Sequence, residues 1–265
     1  MILAVRSPRL DSLVKCHQHH SGHDPYLRLG PFKLENLSEA PYIGLIHQFI
    51  SSSEADWIIK TNGPNLIPTP YKINGENFYF SRKRTSKTTD IRDKVGLPSA
   101  ALTKRLDLAS PFNLLTPFAA ENYQVMNYGP GGIISHHTDE IPRLLVFKNH
   151  SSFDEEEQLE WRLGGMRLAT TMIYVRSAVS GGRTVFPMIS LSVPPTPRAL
   201  LFWHNITPDH VPDTRALHAA CPVVFGDKWI MNKWVNIAPH WNSHKCLRNI
   251  DQQASFQMWN KLAKF

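Results

Sequence analysis

After Glu121 the chain becomes a succession of short runs rich in Val, Ile, Thr and aromatic residues. They read YQVMNY, GIISHHTD, RLATTMIYV, RTVF, LSV, RALLFWHN, ALHAACPVVF and DKWIMNKWV. Gly-Pro-Gly-Gly, Ser-Gly-Gly and Pro-Pro-Thr-Pro punctuate them, and no helical pattern intervenes. Branched and aromatic side chains suit pleated backbone, and Gly and Pro close each piece. Without crossover helices, such strands pair antiparallel and must close over a core as a sandwich or barrel. This predicts a mainly β fold with its barrel core over residues 121–246.

The upstream sequence has a different texture. Residues 1–25 are irregular, and 26–120 form an α+β support packed on the barrel as one body. Residues 247–265 are a C-terminal tail. From Tyr26 to Ile50 the run reads as short extended pieces broken at Pro31 and Pro41. Ser51 and Glu54 then make an S-x-x-E capping box, in which each side chain satisfies a backbone donor left over at a helix start. Trp57, Ile58 and Ile59 supply its apolar stripe, and Gly63-Pro64 ends it. Residues 69–81 read as extended. Residues 98–110 read as a second amphipathic helix, with Pro98 near its start.

Composition excludes several classes. With 13 Phe, 7 Trp and 7 Tyr the chain can build a real core. No apolar run approaches the roughly 18 residues of a helical membrane span. The opening MILAVRSPRL lacks a signal-peptide apolar region and cleavage site. The net charge of +7 suits an anionic partner, but no nucleic-acid motif accompanies it. Its bases concentrate over 71–110, including Arg82, Lys83, Arg84 and Lys87, and the expected reading is a solvated face. The three cysteines (Cys16, Cys221, Cys246) form no C-x-x-C, which argues against a cysteine-built zinc site. The histidines between Cys16 and His23 read as a solvated tail. Sequons at Asn36, Asn149 and Asn205 say little alone.

One constellation carries chemistry. His137-Thr138-Asp139 is an H-x-D, and in a strand residues i and i+2 share a face. His136 would point to the other face. A second histidine from another strand would complete a 2-His-1-carboxylate set, which holds one face of Fe(II) and leaves the others open. Among 13 histidines an H-x-D also arises by accident. His204, His210, His218 and His240 could each supply the third ligand. His218 is preferred because it sits in the apolar run ALHAACPVVF. Ten residues on, Lys228 shares its strand face with Ile230 and Trp234. It either snorkels or pairs with an anion, such as a dicarboxylate cosubstrate, because an unpaired buried charge is costly.

These blocks together resemble the catalytic domain of collagen-type prolyl 4-hydroxylase alpha subunits. The order YQVMNYGPGG…HHTD, RLATTMIYV, GGRTVFP, ALLFWHN, HAACPVVFGDKW and NKW follows that family from about Tyr123 to Val235. The upstream YLRLGPFKLE…PYI and the SSSEAD helix extend the likeness to roughly residues 16–246. The resemblance implies a double-stranded β-helix, or jelly roll, with Fe(II), 2-oxoglutarate, O₂ and L-ascorbate. It implies His137, Asp139 and His218 as metal ligands and Lys228 on the outer carboxylate of 2-oxoglutarate. Tyr128 is implied as further cosubstrate support, with Thr170 and Trp234 lining the pocket. It also implies a Cys221–Cys246 disulfide, with Cys16 left over.

The implied reaction is hydroxylation at C4 of peptidyl proline in X-Pro-Gly tracts, which are polyproline II-like, with release of succinate and CO₂. Family members act in the endoplasmic reticulum lumen with protein disulfide isomerase as partner subunit. Thr138 stands where the family has an aromatic residue. The acidic loop 140–166 differs from the family pattern, which bears on the choice of peptide. The signal peptide, dimerisation region and separate peptide-binding domain of full-length family subunits have no counterpart here. A binding protein that grips proline-rich peptides, or the same chemistry on another substrate, are the alternatives.

Overall fold

The computed structural model describes residues 15–19, 29–73, 76–78, 83–92, 97–140 and 164–240. Upstream of the barrel lie β1 (Lys15–His19), β2 (Phe32–Glu39), β3 (Tyr42–His47) and helix α1 (Ser52–Asn62). They are followed by β4 (Ile67–Pro68), β5 (Tyr71–Ile73), β6 (Glu76–Phe78), β7 (Lys87–Ile91) and helix α2 (Pro98–Leu108). The barrel strands begin with β8 (Tyr123–Tyr128), β9 (Ile134–His137), β10 (Arg167–Arg176), β11 (Ser180–Gly181) and β12 (Thr184–Phe186). They continue with β13 (Leu191–Val193), β14 (Leu200–His204), β15 (His218–Ala220), β16 (Val223–Phe225) and β17 (Lys228–Asn236). Each strand-like run after Glu121 contains at least one strand.

Two antiparallel sheets face each other. The large one runs β1-β2-β3-β14-β10-β17-β8-β7-β4, and the small one β13-β12-β15-β9. The chain alternates between them. β8 lies in the large sheet, β9 in the small, β10 in the large, β12 and β13 in the small, β14 in the large, β15 in the small and β17 in the large. That alternation of eight strands is the expected jelly roll.

The large sheet is buried on both faces, and strand parity sorts its side chains. Tyr123, Val125, Ile173, Leu200, Phe202, Met231 and Val235 join Ala55 and Ile58 of α1 and Leu102 and Leu106 of α2 in one core. Met126, Tyr128, Met172, Tyr174, Leu201, Trp203 and Ile230 point the other way, toward Phe186, Val193, Ala220 and Val223 of the opposite layer. Each fully buried large apolar side chain contributes about 1.5–3 kcal/mol.

α1 begins on the expected capping box, with Ser51 Oγ accepting from Glu54 N and Glu54 accepting from Ser51 N at 2.7 Å. Ala55, Ile58 and Asn62 are its buried positions, while Trp57 and Ile59 pack at the margin. The basic stretch is less uniformly solvated than expected. Arg105 donates to Phe49 O at 2.9 Å and grips Glu54 at 2.9 and 3.1 Å, tying α2 to α1. The support is also not a separate layer: β2 and β3 extend the large sheet at one edge, and β7 and β4 at the other.

Gly181 sits at φ +81°, where a Cβ would collide with Pro222 O and lie 2.7 Å from Val224 N. Both are backbone atoms of the partner strand segment and cannot swing away. Gly181→Ala is expected to destabilise the fold by about 2–4 kcal/mol. Denaturant unfolding at constant slope checks this; an unchanged midpoint would refute it.

Candidate active site

β8 and β17 present alternate residues to the space between the sheets. Gln124, Met126 and Tyr128 come from one strand, and Lys228, Ile230, Asn232 and Trp234 from the other. With His137, Asp139, His218 and Thr184 from the opposite side they line a cavity of about 490 Å³. Such a volume holds a small ligand together with part of a larger one.

The small sheet brings the two histidines side by side, because β15 pairs with β9 with His218 opposite His137. Their rings lie 4.3 Å apart. Each ring Nδ1 donates to a carbonyl two residues back, His137 to Ser135 O at 2.8 Å and His218 to Ala216 O at 3.0 Å. That fixes the tautomer and turns both Nε2 lone pairs toward Asp139 Oδ1, at 3.6 and 3.8 Å. All three ligand atoms fall within 4.8 Å of one another.

Asp139 is not on the strand. β9 ends at His137, and Asp139 reaches its neighbour from the bend that follows. The pairing is therefore made by the turn rather than by alternation. His136 is exposed, as expected.

Their surroundings keep Asp139 and His137 proton-free. Burial alone raises the Asp139 carboxyl, but His218, His137, Arg167 and the Thr170 hydroxyl outweigh it and hold it at about 2. Burial and neighbouring His218 lower His137 to about 4, against the pull of Asp139. Two imidazoles and one carboxylate on one side of a cavity fit Fe(II) with open positions opposite.

Lys228 is 1% exposed. Among the described residues its ammonium has one hydrogen-bond partner, Gly182 O at 2.9 Å, and lies 5.5 Å from the Tyr128 and Tyr174 ring centroids. Burial pushes it down to about 7, with Cys221 opposing. A buried ammonium with spare donors fits an incoming carboxylate. Tyr128 is its register partner, and Thr184 lines this end of the cavity, its hydroxyl accepting from Tyr174 behind it at 2.8 Å. Of the cavity residues, Arg84, Trp203, Asn232 and Trp234 each carry a buried polar atom without a partner, so the cavity is suited to a polar ligand.

Thr170 departs from expectation. It is fully buried yet does not line the cavity, because Asp139 covers it and accepts its hydroxyl at 2.7 Å. Trp234 does line it, with the Arg167 guanidinium 3.8 Å from its ring centroid. Glu121 holds Arg167 flat with bonds of 2.5 and 2.7 Å. Sequence reasoning missed Arg84, Arg167, Asn232 and Tyr174. Parity along β10 and β17 gives Tyr174 and Asn232; nothing in the sequence marks Arg84. His204 and His240 pack instead against Phe112, away from the triad. Cys221 is a half-buried free thiol, and Cys246 lies outside the described residues. Most of loop 140–166 also lies outside them.

Residues 123–236 match the family model of the 2OG-Fe(II) oxygenase superfamily. The chain carries a 2OG-Fe(II) oxygenase domain. That domain spans the whole of the barrel, from β8 to the end of β17. Human prolyl 4-hydroxylase subunit alpha-3 is 34% identical over 220 residues, covering 82% of this chain and 38% of that protein. Bovine prolyl 4-hydroxylase subunit alpha-1 is 29% identical over 234 residues, covering 87% and 41%. The chain thus spans about two fifths of the length of these relatives. A viral collagen prolyl hydroxylase from Paramecium Bursaria Chlorella virus-1, solved with 2OG, superposes with a TM-score of 0.52. It is 23% identical over 73% of this chain and 94% of its own. A Trichoplax adhaerens prolyl hydroxylase in complex with a hypoxia inducible factor peptide superposes at 0.51, with 16% identity over 78% and 87%. Both share the jelly roll of the oxygenase domain.

Proposed function

We propose that this chain is an Fe(II)- and 2-oxoglutarate-dependent dioxygenase that hydroxylates C4 of peptidyl proline in X-Pro-Gly, collagen-like sequences. The observation that carries the reading is the convergence of His137, Asp139 and His218 with buried Lys228 on one cavity. The similarity to prolyl 4-hydroxylase alpha subunits supports proline as the target. The same resemblance supports ascorbate as reductant, a protein disulfide isomerase partner and the endoplasmic reticulum lumen.

His137, Asp139 and His218 would hold the iron. With 2-oxoglutarate and O₂, the bound iron supplies oxidative decarboxylation to succinate and CO₂ and the oxidising power for C–H hydroxylation. The protein's own residues do the positioning. Lys228 receives the outer carboxylate of the cosubstrate, with Tyr128 and Thr184 beside it. Ile230, Met172 and Trp203 keep the cavity walls apolar and limit water. Arg167 and Trp234 form a flat cationic–aromatic surface at the wall, suited to a ring and its adjoining carbonyl.

Succinate release should be measured with Fe(II), 2-oxoglutarate, ascorbate and a peptide panel containing Pro-Pro-Gly repeats, Ser-Pro repeats and proline-free controls. Proline-dependent release with a gain of one oxygen at C4 is expected. Release without any proline dependence would overturn the substrate, and no release with any peptide would favour a binding role.

A further inference from the structure

Asp139 offers only one of its oxygens to the triad, and the other is held from behind. Asp139 Oδ2 accepts from Thr170 Oγ1 at 2.7 Å, and Thr170 Oγ1 accepts from Asn205 Nδ2 at 2.9 Å. Thr170 also lies 3.3 Å from Asn205 Oδ1, but its hydroxyl has one proton, and the shorter, charge-assisted bond to the carboxylate takes it. The chain of bonds therefore has a direction, from amide to hydroxyl to carboxylate. All three side chains are buried.

Asn205 is itself anchored. Its N–H donates to Leu168 O at 3.0 Å, and its carbonyl accepts from Asp213 N at 2.9 Å. Asp213 is in turn clamped by Arg215 at 2.7 and 2.9 Å. Thr170 sits on β10 between Trp203 of β14 and Trp234 of β17 in register, so its hydroxyl cannot drift. The sequon at Asn205 is consequently sealed in the interior, and its amide serves this chain rather than a glycan.

We infer that Thr170 and Asn205 are positioning residues that compel Asp139 to bind metal through Oδ1 alone. The inference rests on the proposed Fe(II)/2-oxoglutarate reading. An octahedral ion with three protein ligand atoms has three open positions, two for a chelating 2-oxo acid and one for O₂. A carboxylate binding through both oxygens takes one of those three. Occupying Oδ2 with a hydrogen bond removes that alternative without a further metal ligand. It also assigns Thr170 to the support of Asp139 rather than to the cosubstrate pocket.

The test uses Co(II) as a spectroscopic probe in full-length wild-type protein, Thr170→Val, Thr170→Ser and Asn205→Ala. Visible d–d bands and Co(II) affinity are recorded before and after 2-oxoglutarate. Thr170→Val should bind Co(II) on the order of 10–100-fold more weakly, the usual scale for loss of a ligand's supporting bond. It should also show an altered band pattern with a blunted response to 2-oxoglutarate. Thr170→Ser should restore both, and Asn205→Ala should move both in the direction of Val. Wild-type affinity and bands in Thr170→Val would overturn the inference. If that variant does not fold, Asn205→Ala decides: unchanged bands in a folded Asn205→Ala overturn the inference, and shifted bands support it. A wild-type protein that binds no Co(II) at the triad would instead sink the metal-site reading itself.

Discussion

Asp139→Ala is expected to abolish 2-oxoglutarate turnover in a protein that still folds, and His137→Ala and His218→Ala are expected to do the same. Each removes one of three protein ligands, so iron is lost or misplaced. The fold should persist because the two apolar cores are built from other side chains, with His218 packed at the margin of one of them against Phe186 and Trp203. His136→Ala should stay near wild type, since that side chain is exposed. Protonation adds a second signature. With Asp139 at about 2 and His137 at about 4, these two donors are proton-free at neutral pH. Metal affinity should fall as His137 takes up a proton near pH 4. Iron-dependent succinate release, apo-protein melting and metal binding against pH check these outcomes. Near-wild-type turnover by any of the three alanine variants at limiting iron would overturn the assignment.

The triad was legible because two of its members are two residues apart and the third lies in a run too apolar for a solvated histidine. Choosing among His204, His210, His218 and His240 needed tertiary information. His204 sits in an equally apolar strand, yet its ring packs on Tyr42, Phe112 and Phe202. Lys228 was legible by parity, since a lysine in step with Ile230 and Trp234 must enter the apolar face. The role of Thr170 was not. Its parity points inward correctly, but only the bend after β9 lays Asp139 over it. Arg84 was hidden among neighbouring bases; the isolated bridge to Ile134 turns it toward the cavity.

The barrel strands were readable because both faces of the large sheet are buried, which leaves nearly continuous apolar runs such as RLATTMIYV. β7 was not. Its KTTDI has one buried residue, Thr88, and is a strand only because β8 pairs with it. An outlying strand lined by polar residues carries little periodic signal. The same reasoning explains why residues 26–120 read as a support: their strands complete the sheet at its edges, where sequence patterning is weakest.

Lys228→Ala should raise the 2-oxoglutarate requirement sharply while metal binding persists. A charge-assisted bond is worth roughly 1.5–3 kcal/mol, which corresponds to about tenfold to a hundredfold or more in affinity. Lys228→Arg should also be impaired, because a planar guanidinium fits poorly in a lysine-sized slot beneath two tyrosine rings. Lys233, on the opposite strand face, is also buried and engaged elsewhere. It is 2% exposed, donates to Glu121 O at 2.8 Å and lies 4.3 Å from the Tyr123 ring centroid. Lys233→Ala should therefore lower stability without changing cosubstrate dependence. The buried ammonium also predicts a proton linkage. Lys228 is held near 7 without an anion beside it, and an arriving carboxylate raises it. Above pH 7 the cosubstrate must then bring a proton with it, so its affinity weakens as pH rises. In the free protein the sign is opposite. The unfolded chain binds the extra proton between about pH 7 and the ordinary lysine range, so this group adds stability as pH rises through that window. Calorimetric titration of 2-oxoglutarate at pH 8, in buffers of different ionisation heat, should show uptake approaching one proton. The uptake should vanish at pH 6 and in Lys228→Ala. Uptake that survives in Lys228→Ala would place the outer carboxylate on another group.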